Sequence, residues 1–145
     1  MKKFIILIPL LLTSMCSIAR DDVTDYLIEE AMQIPKISSA IGSEVKFYFA
    51  GQEHNQVEQK IGEFKSNKKT NAFGISDKEA CQWVFASAMK SLHQRAIKEG
   101  GNAVINIRSN YKGTISSSPT TFKCGAGAIM AGVALIGDIV KLQQK

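Results

Sequence analysis

From Glu44 to Phe49 the chain alternates. Val45, Phe47 and Phe49 fall on one side and Lys46 and Tyr48 on the other, which is the period of a half-buried strand. A polar loop is predicted over 51–60, a second strand near Ile61–Ser66, and a turn or exposed connection at the lysine-rich 67–71. The period then changes to that of a helix. Ser76-Asp-Lys-Glu79 forms a capping box at its start and Gly100-Gly101 ends it. At 100° per residue Cys81, Phe85, Ala88, Leu92 and Ala96 share one stripe, flanked by Val84 and Met89, so Cys81 is expected in the core. Trp83 falls nearly opposite, beside Ala86, Lys90 and Ile97. It is read either as an exposed contact site or as a ring covered by the N-terminal arm.

Beyond the helix, 102–108 is apolar on both faces at first, the mark of a central strand. Residues 113–119 (GTISSSP) read as a flexible connection. A last strand begins at Thr120 and runs into a glycine-rich stretch. Upstream, 26–32 predicts a short helix, interrupted by Pro35 and resumed over 36–41 before Gly42. The element order is β-β-α-β-β. It predicts an α+β fold, a two-layer sandwich with one long helix packed on a mainly antiparallel sheet, without internal repeats or a second domain.

Residues 124–137 carry no charge and include four glycines. A membrane span needs about twenty predominantly apolar residues, and Asp138 and Lys141 close this run early. Gly125-Ala-Gly127 lacks the spacing of a dinucleotide-binding loop, and no Gly-Lys-Ser/Thr follows to hold a phosphate. A buried strand remains, its glycines marking bulges or close backbone approach.

The N-terminus bears on the compartment. Lys2 and Lys3 precede an apolar run from Phe4 to Leu12, and Ser17-Ile-Ala19 offers a small-x-small cleavage site, the layout of a secretory signal peptide over 1–19. Acylation at Cys16 is the alternative. Thr13 and Met15 stand where a lipobox has leucine and a small residue, so cleavage after Ala19 is expected. The domain reading is therefore 1–19 signal peptide, 20–43 acidic N-terminal arm with short helical turns, and 44–145 α+β domain. The whole chain carries a formal charge of +5, unevenly placed. Residues 20–44 hold six acids and two bases, whereas 45–145 hold fourteen bases and seven acids. The arm and body are either electrostatic partners or two ordinary solvated surfaces. The lysines are scattered, and no nucleic-acid partner is expected. Cys81 and Cys124 are the two cysteines left after processing, and in an oxidising compartment such a pair reads as a disulfide, against two buried free thiols.

Catalytic chemistry finds little to stand on. No GxSxG elbow frames a serine, and cysteines 43 positions apart form a staple rather than a redox pair. For metals, His54 and His93 are weak candidates only. No CxxC, HExxH or i, i+4 histidine pair occurs, and His93 lies about 120° around the helix from Cys81, so a solvated surface position is expected for it. No enzyme activity, cofactor or metal is expected.

Ile61-Gly-Glu-Phe64, the helix ending before Gly101-Asn-Ala-Val104, and the strand around Cys124–Leu135 together resemble the RcsF/YbjQ-like α+β domain family. The resemblance covers roughly 44–142. It extends to small secreted bacterial proteins sometimes labelled as an excinuclease ATPase subunit, a label the missing Walker A loop does not support. It implies a disulfide from the helix start to the strand before the glycine-rich one, the places of Cys81 and Cys124. A second bridge of that family would fall near Ser109 and Met130 and is absent, as is its Pro-rich linker. The expectation that follows is an exported, periplasmic interaction or signalling module, acting alone or as a structural subunit of an envelope assembly. Trp83, Lys90 and Ile97 are its contact residues, and other envelope proteins or a second copy its partners. A periplasmic small-ligand or metal-binding module is the alternative.

Overall fold

The computed structural model describes residues 20–144; the expected signal peptide and Cys16 lie outside them. The chain forms β1 (Asp22–Leu27), α1 (Ile28–Met32), α2 (Pro35–Ile41), β2 (Lys46–Phe49) and β3 (Val57–Asn71). It continues with α3 (Asp77–Glu99), β4 (Ala103–Tyr111), β5 (Thr114–Ser116), β6 (Thr121–Ala126) and β7 (Met130–Leu142). The fold is α+β, as the pattern predicts, with the helices packed against one mixed sheet.

β7 organises the sheet because its alternation is apolar on both faces. It pairs antiparallel with β3 along nearly its whole length, with β4 over its second half, and with β6 at Gly132 and Ala131. β1 extends the sheet beyond β6 antiparallel, and β5 folds back on β4. β2 joins β4 in parallel, which makes the sheet mixed rather than purely antiparallel. Val133, Leu135 and Ile139 of β7 face the helices and join the main core with Val84, Phe85, Met89 and Leu92 of α3. On the opposite face Ala103, Ile105, Val140 and Leu142 form a smaller cluster beneath Tyr48 and Val57.

Five segments depart from the sequence reading. The polar loop ends early and the lysine-rich turn is absent, because 57–60 and 67–71 both belong to β3, which runs fifteen residues. Its lysines stand on an edge strand, where charge opposes pairing with another chain. Asp22–Leu27 is a strand rather than part of a helical arm: its backbone pairs residue by residue with β6, from Asp22–Ala126 to Leu27–Thr121. The expected flexible connection contains β5. The glycine-rich stretch is two strands and a hairpin rather than one strand. The chain reverses at 127–129, where the Gly127 N–H donates to the Met130 carbonyl at 2.8 Å.

α3 is held as its caps require. Ser76 Oγ accepts from the Glu79 N–H at 3.1 Å, and Gly100 takes the left-handed conformation at φ 78°. All seven residues of the predicted stripe are buried. Cys81 and Cys124 form a disulfide, Cα–Cα 5.8 Å, that ties the first turns of α3 to the middle of β6.

Candidate interaction surfaces

Trp83, Lys90 and Ile97 follow one another at seven-residue spacing, two turns of α3 each, so they line one face over about 21 Å. All three are exposed, Trp83 at 39 % and Ile97 at 51 %. The Ser87 hydroxyl between the first two donates to the Trp83 carbonyl at 3.2 Å. Ala86, expected beside Trp83 on the outer side, is instead buried. It sits two turns before His93 on a flank of α3 that meets α2, and the His93 ring lies against Gly42 at the α2 C-cap. The outward stripe is accordingly narrower than the pattern predicts.

His93 is also corrected. It is buried rather than solvated, its Nε2 2.8 Å from Glu44 Oε2 and its ring centroid 6.3 Å from that of Phe47. Gly42 at φ 99° leaves the space for it: a β-carbon there would strike the imidazole. Three contacts hold the Glu44 carboxyl below the ordinary range. Its own backbone N–H comes first, then the His93 ring, then the Ser43 N–H at 3.1 Å. His54 is exposed, edge-on to Tyr48 with centroids 5.6 Å apart. The two histidines are thus engaged separately, and among the described residues no three His, Cys, Asp or Glu side chains converge as a metal-ligand set.

A third arrangement was not singled out from the sequence. Gly125 and Gly132 face each other across β6 and β7. With no side chain on either, Tyr111 from the end of β4 lies in the trough they leave; a β-carbon on Gly125 would collide with its hydroxyl. That hydroxyl donates to Asp21 Oδ1 at 2.9 Å, while Lys112 binds Asp21 Oδ2. The lock joins the chain just before β1 to the β4–β5 turn. Its signal in the sequence was a pair of glycines seven apart about a hairpin, but recognising it requires the hairpin's register.

Burial, together with the hydrogen bond to anionic Asp21, pushes the Tyr111 phenol up to about 12. Asp21 is held below the usual carboxylate range, by Lys112 first and Tyr111 second. Because the fold favours the neutral phenol, the stabilisation is whole below the unfolded tyrosine value of about 10 and disappears as pH climbs to about 12. Titration followed by phenolate absorbance should show one tyrosine ionising about two pH units late, accompanied by a fall in thermal stability over that interval. In Tyr111→Phe that late step should vanish. If wild type and variant titrate alike, the lock is absent in solution.

The last surface is an end of the molecule where two loops meet. Phe73 and Ile75 precede α3, and Ile129 and Met130 form the β6–β7 hairpin; their exposures are 76, 40, 62 and 48 %. The loops touch through the Ala72 N–H, which donates to the Ile129 carbonyl at 2.8 Å, and through the pairing of Asn71 with Met130.

Among the described residues, the fold and its surfaces define an α+β protein with one sheet, one cystine, an exposed aromatic–aliphatic stripe and an apolar tip. No family model, curated protein or solved structure matches the chain. Among the described residues no helix is long and apolar enough to cross a membrane.

Proposed function

We propose that this chain is an exported, non-enzymatic protein of the cell envelope that works as a protein–protein interaction or signalling module, as a subunit of a larger assembly or with a second copy of itself. The observation that carries the reading is the Trp83–Lys90–Ile97 stripe. A tryptophan and an isoleucine reach solvent on a helix whose opposite face is packed into the core, and large aromatic side chains so placed are the usual anchors of protein contacts. The disulfide supports export, since such bonds persist in oxidising compartments. It also joins the helix start to the strand before the hairpin, which supports kinship with the RcsF/YbjQ-like domains.

Affinity capture from native envelopes tests this. Trp83→Ala combined with Ile97→Ala should reduce a captured partner at least about tenfold, since anchor truncations commonly cost 2 kcal/mol or more. The thermal unfolding midpoint should fall far less than it does for a buried α3 residue such as Phe85, because neither side chain belongs to the core, Trp83 being 39 % and Ile97 51 % exposed. A partner set unchanged by the double substitution would dismiss the stripe as the contact.

A further inference from the structure

We propose that the tip formed by Phe73, Ile75, Ile129 and Met130 rests on a lipid bilayer, with these side chains entering its interface. Hairpin turns and helix-preceding loops are ordinarily built from glycine, asparagine, aspartate and serine. Here two such segments, held together by a backbone hydrogen bond, present four large apolar side chains to solvent. The arrangement does no work in the core, which is complete without them. Contiguous exposed apolar side chains of this kind mark a surface that meets something apolar.

The course of the chain identifies what that is. Arg20, the first described residue, is fixed at this same end. Its guanidinium binds Asp77 at 2.9 Å, at the start of α3, and the Gly127 carbonyl at 3.0 Å, in the hairpin. The nineteen residues before it, with the apolar run Phe4–Leu12, therefore join the fold beside the tip. An anchor at Cys16 would lie four residues away, within about 14 Å of Arg20 even when fully extended. With that segment retained or acylated, the part of the molecule brought to the bilayer is this end. Lys68 and Lys69 stand exposed on β3, opposite Val133 and Gly132, a few positions back from the apolar residues. Lysines at that depth keep their stems in the interface and their ammonium groups among head-group phosphates. α3 begins at the tip and rises about 34 Å over its 23 residues, so the far end with Ile97, Glu44 and His93 is displayed away from the membrane.

The test uses the full chain as recovered from an exporting host, its N-terminus read by mass spectrometry, in a Trp83→Phe background. One reporter is Phe73→Trp at the tip and the other Ile97→Trp at the far end. Each is mixed with phosphatidylethanolamine–phosphatidylglycerol vesicles, with and without brominated acyl chains. The expected result is that tryptophan at 73 shifts to the blue and loses most of its emission to bromine, whereas tryptophan at 97 does neither. No quenching at 73 overturns the proposal, whether because the chain ignores vesicles, because the N-terminal segment covers the tip, or because a protein partner is its true occupant. Equal quenching at both positions overturns it as well, since the molecule would then lie on its side.

Discussion

Replacing Cys81 and Cys124 together by alanine should lower the free energy of unfolding by about 4 kcal/mol, the loop-closure entropy returned to an unfolded chain freed of a cross-link spanning 43 positions. The loop it closes contains most of α3, all of β4 and β5, and half of β6. Without it, the unfolded ensemble gains freedom over a third of the described chain, while the folded state loses little else. Both sulfurs are fully buried, so the alanines leave a small void that adds to the loss. Urea unfolding of the oxidised protein and of the double variant measures the difference. The midpoint should fall, and the slope should rise modestly because the uncross-linked chain exposes more surface when unfolded. Reductant should bring the wild type down to the variant and leave the variant unmoved. Coincident curves for the oxidised protein and the variant would show that the bond is absent or that the unfolded chain is already constrained. The effect matters for the proposed function because β6 carries β1 on its edge and the apolar hairpin at its end, so the bond secures both to α3.

The parts of this fold that the sequence discloses are those in which one residue's neighbours along the chain decide its place. The α3 stripe is of that kind: 3.6-residue periodicity, Ser76 before it and Gly100 after it all point the same way, and every predicted core position is buried. The strand Lys46–Phe49 and the central strand from Ala103 are legible for the same reason. What stays hidden depends on partners distant in sequence. Val57–Asn71 is polar and lysine-rich, and local pattern assigns most of it to loops; it becomes one long strand because β7 offers thirteen residues of backbone to pair with. Asp22–Leu27 is drawn into the sheet by β6, nearly a hundred residues away. His93 belongs to the same class. Periodicity places it off the core stripe, and only the arrival of Gly42 and Glu44 from the end of α2 encloses it. The contact stripe lies between these cases. The outward positions of Trp83, Lys90 and Ile97 follow from helical spacing, whereas the burial of neighbouring Ala86 depends on tertiary packing that helical spacing does not fix.

Phe85→Ala is the second substitution with a large expected cost, about 3–5 kcal/mol. Phe85 is fully buried where three elements converge: its ring stacks on Phe122 of β6 with centroids 4.1 Å apart, and on Phe49 of β2 at 6.2 Å. Truncation removes the largest side chain that α3 sends into the core. The residues around it belong to different strands, joined by backbone hydrogen bonds, and cannot close the void together. A domain of this size is stable by roughly 5–15 kcal/mol, so the loss is a large fraction of the whole, and joining it to the cysteine substitutions should leave little folded protein. Phe85→Leu, which keeps most of the volume, should cost much less. Urea midpoints order the series, and a Phe85→Ala protein as stable as Phe85→Leu would mean that the site collapses around the gap. The series also separates structure from contact on α3. Phe85 and Trp83 are two positions apart and face opposite ways. Phe85→Ala should weaken partner capture only as far as it depopulates the fold, recovering when the temperature is lowered toward the stability maximum. Trp83→Ala should weaken capture at every temperature while the fold stays intact. If both respond to temperature alike, α3 serves as scaffold alone and the contact lies on another surface.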